Sequence, residues 1–150
     1  MKETLRTAIA ADSPGRELKE EVLARLKASG LDVTDISQCE EPYYLAVERV
    51  CQAVLEGEYD RGVLVSATGQ DMNILANKFE GIRSALCFNS YTARLSRIDT
   101  RANILCLGAY GSAPEEAART AEVFLTTRYY GNNQAGLKEI QRFDHENRKK

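Results

Sequence analysis

The sequence has no tryptophan, one histidine (His145) and only three prolines, and no apolar run approaches the roughly 18 residues of a membrane span. Asp12 interrupts the N-terminal apolar stretch, which argues against a secretory signal. The four cysteines form no CxxC pair, so a zinc cluster is not expected. A formal net charge of −2 disfavours nucleic acid or an anionic membrane as the main partner. These absences predict a cytoplasmic protein with reduced thiols and no metal.

Short apolar runs alternate with helix-like stretches along the 150 residues. The run Gly62 to Ser66 (GVLVS) is the clearest strand signal. Similar runs occur at Thr7 to Ala11, Leu31 to Ile36, Arg83 to Cys87 and Ile104 to Leu107. Five strands interleaved with five helices predict an α/β fold, a single-domain three-layer α/β/α sandwich with a doubly wound, Rossmann-like parallel sheet.

The ends of this predicted domain carry two further signals. Ser112 and Glu115, with Pro114 between them, predict a capping box at the start of the last helix of the sandwich. The chain after Gly131 is polar and ends in ENRKK. We therefore expect one domain over residues 1–130 and a C-terminal helix or tail, 131–150, that packs at an oligomer interface.

Ligands of open parallel sheets bind beyond the carboxyl ends of the strands. Two such ends carry suggestive sequences, Asp12-Ser13-Pro14-Gly15 and Ser66-Ala67-Thr68-Gly69-Gln70-Asp71. The small residues of the second segment allow a tight turn whose amides can converge on an oxyanion. Neither GxGxxG after the first strand nor GxxxxGK[ST] occurs, which argues against dinucleotides and nucleoside triphosphates. The segment predicts a small anionic or polyhydroxylated ligand, or else an ordinary turn capped by Thr68 or Asp71.

From about Thr7 to Tyr130 the sequence resembles the RpiB/LacA/LacB family of sugar-phosphate isomerases. The resemblance rests on AADSPGRELKE, GEYDRGVLVSATG and ANKFEGIRSALCFNSYTARLSR followed by ANILCLGA. AADSPGRELKE and the alanine in SATG are closer to the LacA type of subunit than to the ribose-5-phosphate isomerase type. The resemblance implies aldose–ketose isomerisation through a cis-enediolate without any cofactor. It also implies a homodimer or tetramer with sites between subunits.

The catalytic base is the first departure from the family pattern. The family's usual base is a cysteine in a Cys-Gly-Thr-Gly motif, and Ser66 stands in its place, although an unassisted hydroxyl is far too weak a base. Some members without the cysteine use an acidic residue further along this loop, and Asp71 lies one residue before that position. The resemblance thus implies Asp71 as the base, Ser66 and Thr68 as further catalytic residues, and Ala67 and Gly69 as substrate contacts. The alternative is that the Asp71 carboxylate only stabilises the following helix, whose N-terminus carries a partial positive charge.

Asp99 replaces the ring-opening histidine of the family. A carboxyl group can donate a proton at neutral pH only if its pKa is raised. Asn103 keeps the family's asparagine and is expected to orient substrate. Asp12 is also kept, but Ser13 replaces the histidine that follows it in the family. The resemblance therefore assigns Asp99 to catalysis and the other three residues to substrate binding.

Phosphate recognition is the weakest part of the resemblance. Asn133 and Leu137 stand where the family has two arginines, whose bidentate hydrogen bonds to phosphate are thereby lost. Arg94, Arg97 and Arg101 could compensate, and Arg94 is our candidate substrate contact. The alternative is that these helical arginines form a solvated face.

Three functions remain open from the sequence. The first is an active isomerase for a sugar or sugar phosphate, in which aspartates replace the usual cysteine and histidine. The second is a LacA-like subunit that needs a cysteine-containing family member to complete a galactose-6-phosphate-type isomerase. The third is a sugar-binding relative without catalysis.

Overall fold

A computed structural model of the chain describes residues 4–148, which form five strands and six helices. The strands are β1 (Arg6–Ala11), β2 (Asp32–Asp35), β3 (Arg61–Ser66), β4 (Ser84–Leu86) and β5 (Ile104–Gly108). The helices are α1 (Arg16–Ala28), α2 (Tyr43–Leu55), α3 (Gln70–Ala76), α4 (Ser90–Thr100), α5 (Pro114–Thr126) and α6 (Gln134–Asn147).

The five strands form one parallel sheet in the order β2-β1-β3-β5-β4. The chain steps from β1 to β2 on one side and returns to β3 on the other side of β1. The strand order therefore reverses between β1 and β3, where Ala11 pairs with Val65 at the carboxyl end. In open parallel sheets such a reversal leaves a crevice for a ligand.

Helices cover both faces of the sheet, which confirms the predicted three-layer α/β fold. One apolar cluster joins β1, β3 and β5 to α1, α4 and α5, and the other joins the opposite face to α2 and α3. Leu18, Val22, Leu23 and Leu26 recur on one side of α1 and are all buried against the sheet. Phe124 is the largest fully buried side chain of the core.

The beginning of α5 differs from the expected capping box. Its N-cap residue is Ala113, which makes no side-chain cap, and Pro114 occupies the first turn. The prediction that Ser112 and Glu115 form a capping box is therefore wrong. Proline is sufficient at this position because its fixed φ suits the helix and its missing N–H has no helical partner to lose.

The C-terminal helix α6 lies outside the two apolar clusters and contains no buried residue. It is held to the sandwich by polar contacts near the start of β4. The Asp144 carboxylate accepts a hydrogen bond from the Gly81 amide at 2.8 Å, and Arg148 donates to the carbonyls of Asn77 and Lys78. The division at residue 130 and the packing of the tail against a second chain stay predictions.

The four cysteines are free thiols, and three of them belong to the core. Cys51, Cys87 and Cys106 are buried, whereas Cys39 is exposed between β2 and α2. Burial raises the pKa of Cys51 and of Cys106 to about 12 and also raises that of Cys87. These three thiols are core residues, where a free cysteine packs as a small apolar side chain. No helix within residues 4–148 is long and apolar enough to cross a membrane.

Candidate active site

Two loops meet at the crevice between the carboxyl ends of β1 and β3. The amide of Asp12, the first residue after β1, donates to the carbonyl of Val65 in β3 at 3.3 Å. A Cβ on Gly15 would lie only 2.2 Å from that same carbonyl oxygen. Glycine at position 15 therefore allows the start of α1 to approach β3 this closely.

The loop after β3 turns through Gly69, which has a φ of +74°. A Cβ here would lie 2.6 Å from Leu86 Cδ1 and 3.0 Å from the Leu107 carbonyl, so glycine meets both a conformational and a spatial requirement. Gly69 is also the N-cap residue of α3. The alternative that Thr68 or Asp71 is the cap residue is therefore wrong, because Asp71 already lies in the first turn of the helix.

Ser66 and Asp71 are joined across this loop. The Ser66 hydroxyl donates to Asp71 Oδ1 at 2.8 Å and accepts the Gly69 amide at 2.9 Å. Asp71 Oδ1 also accepts the Met72 amide at 2.8 Å. Ser66 is 0% exposed, whereas Asp71 is half-buried. The buried hydroxyl thus holds the carboxylate in one orientation.

Asp12 is a second carboxylate at the same crevice. Its Oδ1 accepts the Gly15 amide at 2.9 Å, and the side chain is half-buried. Burial raises the pKa of Asp12 above its ordinary value, and the negative charge of Asp71 raises it further. The hydrogen bond from the Gly15 amide lowers this pKa but does not cancel the increase. Asp12 therefore takes up a proton more readily than an ordinary aspartate.

The backbone of the loop after β3 supplies hydrogen-bond donors. The Gln70 amide donates to Thr68 Oγ1 at 3.3 Å, and the Gly69 amide is used by Ser66. No hydrogen bond within residues 4–148 uses the amides of Thr68 and Asp71. These two N–H groups can therefore serve a ligand oxyanion.

The residues expected to contact substrate from these loops lie together. Ser13 and Thr68 are exposed, and Ala67 is half-buried. The Ala67 carbonyl accepts the Tyr110 amide at 2.7 Å, which fixes the loop to the chain that follows β5. A role of these three residues in substrate binding stays a prediction.

Asp99 and Asn103 lie at the other edge of the sheet. Asp99 is exposed near the end of α4, and Asn103 directly precedes β5. Asn103 Oδ1 accepts the Arg83 amide at 2.8 Å, and its Nδ2 donates to the Gly81 carbonyl at 3.0 Å. Asn103 thus organises the turns before β4 and β5, and one chain alone does not bring Asp99 to Asp71.

Two arginines of α4 and Arg101, the residue that follows the helix, have different environments. Arg94 is exposed and Arg101 lies over the Tyr129 ring at 5.4 Å, but Arg97 is only 6% exposed. The suggestion that Arg97 belongs to a solvated face is wrong. Its guanidinium lies 5.9 Å from the centre of the Phe124 ring and donates to the Ala102 carbonyl, so the long side chain fills the gap between α4 and α5.

The ionisable side chains do not group as metal ligands. Within residues 4–148 no three His, Cys, Asp or Glu side chains come together in a way that could hold a metal ion. The polar groups described at the crevice are the carboxylates of Asp12 and Asp71 and the amides of the loop after β3.

Comparison with known proteins places these features in a family. The model of the ribose/galactose isomerase family matches residues 7–140. The 4-deoxy-4-sulfo-D-erythrose isomerase of Clostridium sp. strain MSTE9 is 36% identical over 132 residues, 85% of this chain and 83% of the relative. The ribose-5-P isomerase B of Listeria innocua is 34% identical over 148 residues, 96% of this chain and 100% of the relative.

Solved structures give the same result. The structure of Clostridium thermocellum ribose-5-phosphate isomerase B matches with a TM-score of 0.90 at 33% identity, and the match covers 95% of this chain and 99% of that one. A Leishmania infantum type B ribose 5-phosphate isomerase matches with a TM-score of 0.89 at 35% identity, over 96% and 99%. The chain therefore belongs to the ribose/galactose isomerase family, the RpiB/LacA/LacB family that its sequence resembles.

Proposed function

We propose that the protein isomerises an aldose and the corresponding ketose, as a free sugar or a sugar phosphate, through a cis-enediolate. The observation that carries the proposal is the 2.8 Å hydrogen bond between Ser66 and Asp71 at the crevice between β1 and β3. It supports a carboxylate base in a family whose usual base is a cysteine.

Asp71 is the proposed base. Its Oδ1 is used by Ser66 and Met72, whereas Oδ2 takes part in no hydrogen bond within residues 4–148. Oδ2 is therefore available to remove the proton from C-2 of the open-chain aldose and to return it to C-1. Ser66 is fully buried, so its proposed role is to position Asp71 rather than to contact substrate.

The other groups of the crevice complete the proton transfers. When C-2 loses its proton, the C-1 carbonyl oxygen becomes an enediolate oxygen, and the free amides of Thr68 and Asp71 are the proposed donors to it. The O-2 hydroxyl must then lose its proton as the C-2 carbonyl forms. Asp12, whose raised pKa favours proton exchange, is proposed to carry protons between the two oxygens.

We further propose that a homodimer or tetramer completes the site. Asp99 lies at the opposite edge of the sheet from Asp71, so it can contribute to ring opening only in a neighbouring subunit's site. Exposed Ile140 and Phe143 of α6 are apolar surface that such an assembly would cover. Light scattering is expected to give at least twice the chain mass of 16.7 kDa, and a monomer at micromolar concentration would contradict this.

The test of the activity is a panel of free and phosphorylated aldoses assayed in D₂O by NMR. We expect turnover by the purified chain, with solvent deuterium at C-1 of the ketose, because the base exchanges its proton with water. A second possibility is a half-site subunit, favoured by the missing cysteine, and turnover only after addition of a cysteine-containing family member would support it. Binding of a sugar without turnover in either assay would overturn the isomerase proposal.

A further inference from the structure

A cationic cavity lies between α4 and the segment that follows α5. It has a volume of about 450 Å³ and is outlined by Arg94, Arg128, Tyr130 and Asn132, together with Ile98, Thr126 and Thr127. We call it the anion pocket. It shares no lining residue with the crevice that contains Asp12 and Asp71.

The two arginines of the anion pocket lack carboxylate partners. Neither Arg94 nor Arg128 forms an ion pair or a side-chain hydrogen bond within residues 4–148. Glu122, one turn from the end of α5, is paired with Arg25 instead. Asp99, on the same helix as Arg94, faces a different cavity, between α4, β4 and α6. Both arginines therefore line the pocket without a carboxylate partner that would offset their charge.

The polar side chains of the pocket differ in whether they can donate a hydrogen bond to a ligand. Thr126 and Thr127 donate their hydroxyls to the carbonyls of Glu122 and Val123 at 2.7 Å, so they offer only acceptor atoms. The donors left are the two guanidiniums, the Tyr130 hydroxyl and the Asn132 amide. Guanidinium groups bind tetrahedral oxyanions with paired, charge-assisted hydrogen bonds.

Four further arginines lie near the ends of α4 and α5, although none of them lines the anion pocket. Burial, together with the charges of Arg61, Arg101 and Arg83, lowers the pKa of Arg97 to about 9. The Nε of Arg97 is buried and has no hydrogen-bond partner within residues 4–148. The ends of α4 and α5 thus bring several arginines together, and a bound anion would offset part of their charge.

We propose that the anion pocket binds a phosphate- or sulfonate-bearing small molecule through Arg94 and Arg128. The pocket would hold such an anion whatever reaction the crevice performs, so the proposal does not depend on isomerase activity. The bound anion has two possible sources. One is the anionic group of the substrate, which the pocket would contact in an assembly of subunits, and the other is a separate anionic effector.

The test is calorimetric titration of the full chain with inorganic phosphate at low ionic strength. Saturable binding is expected, and Arg94→Gln and Arg128→Gln are each expected to weaken it about tenfold or more, because each removes charge-assisted hydrogen bonds. Arg128→Lys keeps the charge but not the fork and should recover only part of the affinity. Arg119→Gln is the matched control, because this exposed arginine of α5 does not line the pocket.

Absence of saturable binding, or equal weakening by Arg119→Gln, would overturn the proposal. Arg94 and Arg128 are exposed, so urea unfolding of the variants should match the parent chain and exclude misfolding as the cause. Two kinetic outcomes identify the source, and both uphold the pocket. If the KM of Arg94→Gln and Arg128→Gln rises only for a phosphorylated sugar, the bound anion is the phosphate of the substrate. If their KM is unchanged although they no longer bind inorganic phosphate, the bound anion is a separate effector.

Discussion

Replacement of Asp71 by asparagine is expected to lower kcat for isomerisation by about 10²–10⁴-fold, the range that a positioned general base contributes. The change removes the basic oxygen and keeps the shape of the side chain. Ser66 and the Met72 amide can still donate to the remaining amide oxygen, as they now donate to Asp71 Oδ1. The fold and the affinity for substrate should therefore change little. Steady-state kinetics with the best aldose of the panel provides the measurement.

Asp32→Asn is the control for this experiment. It makes the same change of charge at an exposed residue at the amino end of β2, far from the crevice. We expect its kcat to equal that of the parent chain. An Asp71→Asn variant that keeps more than a tenth of the parental kcat would show that another group removes the proton.

Gly15→Ala is expected to destabilise the fold by roughly 2–4 kcal/mol, from overpacking and the loss of a hydrogen bond. The new methyl group would meet the Val65 carbonyl oxygen at 2.2 Å, and this rigid backbone atom can yield only if β1 or α1 moves. The movement would also break the bond from the Gly15 amide to Asp12, so activity should fall as well. Urea unfolding followed by circular dichroism measures the loss of stability.

Gly30→Ala separates the steric clash from general effects of replacing glycine. Gly30 has a φ of +80°, but a Cβ there would have no heavy atom within 4 Å. We expect a cost of about 1–2 kcal/mol, since an alanine in the left-handed region pays only for backbone strain. If Gly15→Ala proved no more destabilising than Gly30→Ala and kept full activity, the close approach of the two loops would not matter for the site.

Much of the fold could be predicted because its strands are short, apolar and buried on both faces. The run Gly62 to Ser66 became β3 with one additional residue. Helix beginnings were harder to predict, since α3 and α5 start without side-chain caps, at Gly69 and Ala113. Cap motifs report a local preference, which packing of the whole helix can override.

The candidate site was predictable only in part. The carboxyl ends of β1 and β3 meet at one edge, so the grouping of Asp12 with the Ser66–Asp71 loop follows from topology. The hydrogen bond between Ser66 and Asp71 does not follow from it, because it depends on the left-handed turn at Gly69. Charge patterning likewise gave no sign that Arg97 is buried over Phe124, since a long side chain can leave the helix surface for a neighbouring ring.

The placement of the thiols has a consequence for oxidative stress. Peroxide attacks accessible thiolates, and the three sulfurs with raised pKa values are shielded in the core. Among the four thiols, peroxide therefore reacts first with the exposed Cys39, in the loop between β2 and α2. An isomerase that takes its proton with a carboxylate keeps working where peroxide would convert a catalytic cysteine to its sulfenic acid.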